Sequence, residues 1–399
     1  MTKVSFPLWL VIIMNINVII GAGVFVNPRP LTQLAGSLSF LSYFVVACII
    51  LPLVLVVAQL ARMHKATEGG LYTYSKEGIG PWAGIVGVTS YFLGKVASSS
   101  ILIKTIVFYL YSLIPILGGV SSIYVKIFVL ISLICLNMLG LNFGGKLQMG
   151  FAVTKLIPIA VVILGGIAIF NSNNFTFQNV TFMGFSSSLP IALFAIMGFE
   201  ICCSIGHTVK SAEKNMSRAV VISFLFVGII YMLFQGMLFG GVGNELLDVH
   251  KPLGGFFIKL FGNIPILQAY FSPILSFIIM FSIIGSCYGI IFSNSWNVHI
   301  VAKEFNFKSF IRINNHGSPT YSVILQGFLI GILLLFDLTI VTLARLTILG
   351  VIINFLLIAV SLLRLYKTRR EDIMLPWWVA FTSLLSCCYI AFVCLKDLL

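Results

Sequence analysis

Glu200 is the most demanding residue in this sequence. It follows Gly198 by two positions inside an apolar run, Leu189-Pro-Ile-Ala-Leu-Phe-Ala-Ile-Met-Gly-Phe-Glu-Ile-Cys-Cys203. A carboxylate in mid-membrane costs at least about 2.5 kcal/mol, so it needs a partner or a wet cavity. A second run, Asn15-Ile-Asn-Val-Ile-Ile-Gly-Ala-Gly-Val-Phe-Val-Asn-Pro28, places Gly21 and Gly23 in mid-span. Glycine in a helix interior costs about 1 kcal/mol relative to alanine and lets the backbone unwind or another group come close. The other reading is a small-residue packing face. A helix broken at such points frees amide donors on one half and carbonyl acceptors on the other. Those ends can hold the carboxylate and the ammonium of an amino acid without a charged side chain. In a third run Tyr91, Lys95 and Ser99 recur every four residues and share one helical face, with Ser98 beside them. Lys104 lies about 900° further round at 100° per residue, on the opposite face. Lys155, about eight residues into its own run, reads from the residues alone either as a lysine snorkelling to water or as a buried lysine that titrates or acts as a fixed cation, which suits proton coupling as well as sodium independence.

The elements that carry these residues follow from composition. Of 399 residues, 59% are hydrophobic and only 9% charged, with a mean hydropathy of +1.10. A soluble domain carries about 25% charged residues, so a water-soluble globular protein is excluded. The apolar runs are roughly twenty residues long, the length a bilayer core about 30 Å thick demands of a helix. Eleven spans are expected: 8–34, 37–63, 79–113, 121–140, 148–170, 184–207, 217–241, 266–301, 319–336, 338–363 and 375–393. With the N-terminus inside, fifteen of the twenty-four Lys and Arg fall on the cytoplasmic side, among them Lys3, Arg62, Lys65, Lys210, Arg218, Lys303 and Arg370. The outer side holds five, Arg29, Lys126, Lys251, Lys259 and Lys396. Positive loops stay inside, so a cytoplasmic N-terminus is expected. No long linker divides the chain, and one membrane domain over 1–399 is expected. The first and sixth spans carry the breaks, as in an inverted repeat with its site at the midplane. The repeats would be about 8–170 and 184–365, with an extra helix at 375–393.

Other chemistry finds little support. The net charge of +13 is spread over loops, unlike the single basic face of a nucleic-acid protein, so no nucleic-acid partner is expected. The eight cysteines (Cys48, Cys135, Cys202, Cys203, Cys287, Cys387, Cys388, Cys394) lie inside apolar runs and read as reduced packing residues. His64, His207, His250, His299 and His316 have no metal-ligand spacing, and neither metal nor cofactor is expected. There is no GxxxxGK[ST] phosphate loop and no nucleophile, base and orienter set, so an enzyme or an ATP-driven pump is not expected. The first run extends past a signal-peptide h-region and contains Asn15 and Asn17, which makes it a span. Asn174-Phe-Thr176 and Asn179-Val-Thr181 fit a glycosylation pattern on an outer loop.

Gly21-Ala-Gly-Val-Phe25 resembles the first-helix motif of the amino acid/polyamine/organocation family of transporters. Phe194-Ala-Ile-Met-Gly-Phe-Glu200 resembles its sixth helix, and Thr208-Val-Lys-Ser-Ala-Glu-Lys-Asn-Met-Ser-Arg-Ala219 the loop that follows. Glu68-Gly-Gly-Leu-Tyr72, Gly80-Pro-Trp82, Lys155-Leu-Ile-Pro158 and Gly317-Ser-Pro319 match in order along nearly the whole chain. The resemblance implies an all-α, five-plus-five inverted-repeat (LeuT-like) transporter fold with discontinuous helices one and six. It implies alternating-access transport of an amino acid or amine. By position, the amides of Gly21, Ala22 and Gly23 would hold the substrate carboxylate, and the carbonyls of Ile19, Phe194 and Met197 its ammonium. Phe194 would also be the outer aromatic gate, and Glu200 an acid in gating or proton coupling. Lys155 matches the lysine that, in sodium-independent members, places an ammonium near where sodium-coupled relatives bind their ion.

The sequence departs from this pattern in three places. His207 and Thr208 stand where acidic residues usually follow the sixth helix, no twelfth helix is evident, and Lys95 lies on the face that the family turns to its substrate. A cation there would repel cationic substrates and either bind an acidic side chain or neutralise Glu200; Lys95 and Ser99 are expected as substrate-binding residues, with a structural ion pair the alternative for Lys95. Arg345 adds a second intramembrane cation of unassigned direction. The expected function is a sodium-independent permease working by proton symport or amino acid exchange on a neutral or acidic amino acid. A transport-incompetent sensor or assembly partner of the same fold is the alternative. A compact chain fits a bacterial inner membrane.

Overall fold

A computed structural model describes residues 5–64, 68–176, 180–247, 252–262 and 265–396. Lys3, Lys65, Asn179, His250 and Lys251, and the side chains of Cys394 and Lys396, lie outside the described residues. Sixteen α-helices are described, joined by short turns and 3-10 segments. They are α1 (Leu8–Ile19), α2 (Gly23–Val26), α3 (Pro28–Ala35), α4 (Ser39–Met63), α5 (Gly70–Ile79), α6 (Pro81–Leu113), α7 (Ser122–Met138) and α8 (Leu141–Ala168). Then come α9 (Phe182–Ile196), α10 (Ala212–Val242), α11 (Pro252–Phe261), α12 (Pro265–Glu304), α13 (Lys308–Ile311), α14 (Thr320–Leu335), α15 (Ile340–Thr368) and α16 (Trp377–Lys396). Among the described residues the only bridge of strand type joins Phe6 to Val209.

Each expected span coincides with a helix or with a helix and its continuation. Seven helical stretches are long and apolar enough to cross a bilayer, and α1, α7, α14 and α16 are shorter apolar helices. Leu164, Ile167, Phe128 and Phe328 stand exposed on the outer surface. Apolar exposure on this scale calls for lipid rather than water outside. This is a multi-pass integral membrane protein.

The element starts have local causes. Pro28 and Pro81 open α3 and α6 at a position where a missing N–H costs nothing. Thr181 caps α9 by accepting from the Gly184 amide at 3.0 Å, and Thr339 caps α15 by accepting from the Thr342 amide at 3.1 Å. The fifth span was expected from Gln148, but α8 begins at Leu141. Asn142, Lys146 and Gln148 lower its hydropathy without interrupting its helix, and Gln148 is wholly buried against neighbouring helices. Three helices in loops, α5, α11 and α13, match none of the expected spans; each has ten residues or fewer, too short to register as one.

Candidate functional site

The first break begins where α1 stops at Ile19; Ile20 to Ala22 are non-helical before α2 restarts at Gly23. The second begins where α9 stops at Ile196. Met197 is extended (φ −73, ψ 148), and Gly198 takes φ 120, which side-chain-bearing residues rarely adopt. The chain then continues as a 3-10 segment, Ile201–Thr208. The two breaks lie side by side: a Cβ on Gly198 would sit 3.7 Å from the Ile19 Cα. A Cβ on Gly23 would sit 2.9 Å from that of Ala195, so only glycine lets α2 approach α9 this closely. Asn15 ties the two together. Its side-chain nitrogen donates to the Phe199 carbonyl at 2.7 Å and to Ser223 at 2.6 Å, and its oxygen accepts from the Cys202 amide at 3.4 Å.

What the breaks leave open differs by a residue from the expectation. The Gly21 amide donates to the Ile19 carbonyl at 2.9 Å, and that same carbonyl accepts from the Tyr231 hydroxyl at 3.3 Å. Neither Gly21 N–H nor Ile19 C=O is therefore open to a ligand in this conformation. The amides of Ala22, Gly23 and Val24 have no acceptor among the described residues, nor do the carbonyls of Phe194, Ala195, Ile196 and Met197 have a donor. Free donors and free acceptors thus meet across one cavity of about 140 Å³. Its wall includes Gly21, Ala22, Gly23, Lys95, Ser98, Thr105, Phe194, Met197, Gly198, Ser286 and Thr347, with Val18, Ile101, Leu193, Ile290 and Val351 as apolar lining. Phe194 is half-exposed at its edge. The eleventh span also contributes, through Ile390.

Lys95 reaches the cavity and also pairs with Glu200. Its ammonium lies 2.9 Å from Glu200 Oε1 and over the Tyr91 ring, 5.0 Å from the centroid. The Tyr91 hydroxyl donates to the same Oε1 at 2.8 Å. Glu200 is fully buried and does not line the cavity; its Oε2 has no hydrogen-bond partner. Lys95 thus lines the cavity and forms the ion pair as well, because a long side chain at the cavity rim turns its charge inward. Ser99 does not line the cavity. Its hydroxyl donates back to the Lys95 carbonyl at 2.9 Å, and Ser98 stands at the wall instead. The cavity face of α6 runs Lys95, Ser98, Leu102, Thr105, at spacings of three and four rather than four alone. Lys104 faces away, and Arg345 is absent from the lining.

Lys155 is fully buried behind the first break. Its ammonium donates to the carbonyls of Asn17 at 2.7 Å, Ile20 at 2.6 Å and Ser282 at 3.1 Å, and lies 3.0 Å from Ser286 Oγ. It does not snorkel. Instead it fills a ring of oxygens made by the unwound end of α1 and by α12. The Asn17 side chain adds a bond to the Gly285 carbonyl at 2.9 Å. The sequence reading did not assign roles to Asn15, Asn17, Ser282 or Ser286. Two asparagines in an apolar run, and serines four apart in another, were the signals that could have found them.

His207 and Thr208 form no acidic gate. His207 packs on Trp296 at 4.3 Å between centroids, while backbone bonds join Phe6 to Thr208 and Lys210. Ion pairs at that end of the bundle come from α5 and the turn before it: Glu68 to Lys303, Lys76 to Glu304 at 2.9 Å, and Glu77 to Arg369 at 3.2 Å. The hydrogen bond with Glu304 raises the Lys76 pKa. At the opposite end Asp337 accepts from Lys104 at 2.8 Å and Lys126 at 2.9 Å. The Lys104 hydrogen bond, then that of Lys126, holds its carboxyl down at about 2.

A family model described as amino acid permease matches residues 6–395. The serine/threonine exchanger SteT of Bacillus subtilis is 27% identical over 279 residues, 62% of this chain and 61% of that protein. The human cystine/glutamate transporter is 26% identical over 329 residues, 77% of this chain and 63% of its own. The match thus spans about six-tenths of the length of these curated relatives.

Proposed function

The chain belongs to the amino acid permease family, and on that premise we propose that it is a sodium-independent carrier exchanging neutral amino acids by alternating access. The observation that carries this reading is the pair of facing helix breaks over one cavity. Amides of Ala22 and Gly23 are positioned to receive the α-carboxylate, and carbonyls of Phe194, Ala195 and Met197 the α-ammonium. A largely apolar wall with Ser98, Thr105 and Thr347 suits a small neutral side chain. Lys95 argues against a cationic substrate, and its pairing with Glu200 leaves it without a free charge for an acidic one.

Sodium independence rests on Lys155, whose ammonium already occupies the oxygen ring behind the first break. Between symport and exchange, the ion pair favours exchange, because Lys95 already stands 2.9 Å from Glu200 Oε1 as its countercharge. The halves 8–170 and 184–365 would rock about the site, with Phe194 closing its outer side and the N-terminus in the cytoplasm of a bacterial inner membrane.

Reconstitution tests this reading. A panel of labelled amino acids is offered to proteoliposomes with and without an unlabelled internal pool, and with and without a proton gradient. Uptake of a neutral amino acid that depends on the internal pool and ignores the gradient is expected. Saturable binding with no flux would replace it with a sensor, and uptake driven by the gradient alone would replace exchange with symport.

A further inference from the structure

A second cavity, of about 510 Å³, lies one helical turn beyond the central one along the same two elements. Thr105 and Gly23 line the first; Phe108, Tyr109 and Ser112 of α6, with Phe25 and Val26 of α2, line the second. Leu253 of α11, a helix in a loop, and Ser276 and Ile279 of α12 complete it. Arg29, from the first turn of α3, is its charged lining residue. The guanidinium has neither an ion pair nor a hydrogen bond among the described residues, and no carboxylate lines the cavity.

We infer that Arg29 makes this cavity an entry station, which takes the carboxylate of an incoming amino acid before it passes to the facing helix breaks. The inference rests on the proposed function and on the orientation that puts Arg29 outside. A guanidinium presents a planar fork that matches a carboxylate with two parallel hydrogen bonds, and the apolar walls of Phe25, Leu275 and Ile279 keep the pair from full screening by water. Tyr109, Ser112 and Ser276 offer neutral hydroxyls beside it. Among the described residues the station holds no acidic partner for an ammonium, so it grips the substrate at one end. One-ended binding suits a site from which the amino acid must move on, and it is indifferent to the side chain.

The test compares the two faces of the membrane. In cells expressing the carrier, exchange of one labelled neutral amino acid is measured as uptake and as efflux for the native chain, Arg29→Gln and Arg29→Lys. Because Arg29 makes no ion pair or hydrogen bond among the described residues, its loss strands none of their polar groups, and both variants are expected to fold. Arg29→Gln should raise the external KM about tenfold, the worth of roughly one charge-assisted hydrogen bond, while leaving the internal KM and the maximal rate unchanged. Arg29→Lys, which keeps the charge and loses the fork, should fall between. An unchanged external KM, or an equal rise on both faces, would overturn the station while leaving the carrier intact. A lipid phosphate could occupy the same guanidinium. If replacing phosphatidylglycerol by phosphatidylcholine in proteoliposomes moves the native external KM to that of Arg29→Gln, the residue is a lipid anchor and the inference fails. Absence of exchange by the native chain would instead sink the functional reading, and the station with it.

Discussion

Lys95 and Lys155 are both buried ammoniums in a bilayer protein, yet they are satisfied in different ways. Lys95 has a carboxylate at 2.9 Å, an aromatic face and a rim position on the cavity. Lys155 has no carboxylate within reach; backbone carbonyls and a serine hydroxyl surround it. An ion pair neutralises charge, and its worth depends on both members being present. An ammonium on carbonyls fixes backbone, here the unwound turn that ends α1. On the proposed function, the first lysine would govern which substrates the cavity accepts, and the second would hold the turn that shapes it.

Lys155→Met breaks the comparison most severely. It takes the ammonium from the carbonyls of Asn17, Ile20 and Ser282 and leaves one Ser286 hydroxyl to serve them; each carbonyl left buried and unpaired costs about 1–3 kcal/mol. Exchange should fall at least about a hundredfold, with a large drop in thermal midpoint read in detergent; the hundredfold corresponds to about 2.7 kcal/mol. Next come Glu200→Gln and Lys95→Met, each leaving one uncompensated partner of a buried pair at about 3–5 kcal/mol of stability, but with the helix breaks still held. The double variant should be less damaged than the sum of the two by at least about 1 kcal/mol in a double-mutant cycle. Additive losses would mean that the two residues are not coupled. The smallest effect is expected at Asp337, outside the spans. Its carboxyl titrates at about 2, below the ordinary 3.8, so the pair it forms supports the fold fully above pH 3.8 and is lost as pH falls through about 2. Asp337→Asn should flatten the fall in thermal midpoint between those pH values, and cost about 1 kcal/mol or less at neutral pH because the group is mostly exposed.

The spans and both breaks were legible because hydropathy and mid-span glycine are local properties. Gly198 and the Gly21–Gly23 pair named the positions where helices stop, and the family resemblance named Ala22 and Phe194. What failed to show was anything set by the path of the chain through a break. Gly21 N–H turns back on Ile19 C=O, so the free donors begin at Ala22 rather than at Gly21. Ser98 replaces Ser99 at the wall because a helix advances 100° per residue, and a period of four drifts off the face. Charge alone raised the pairing of Lys95 with Glu200 as one of two alternatives; the two are 105 positions apart in the chain, and no spacing rule chooses between the alternatives. Nor did the eleventh span read as part of the site, since Ile390 reaches the wall only through tertiary packing.

The most direct measurement is counterflow of a labelled neutral amino acid in proteoliposomes containing Ala22→Leu, set beside the native chain. Ala22 sits between the free amides and the cavity, so a leucine there fills the space where a carboxylate would meet them. Loss of counterflow by about a hundredfold or more, with an unchanged elution profile and thermal midpoint, is the predicted result. Native-like counterflow by Ala22→Leu would contradict the placement of the substrate at the facing helix breaks.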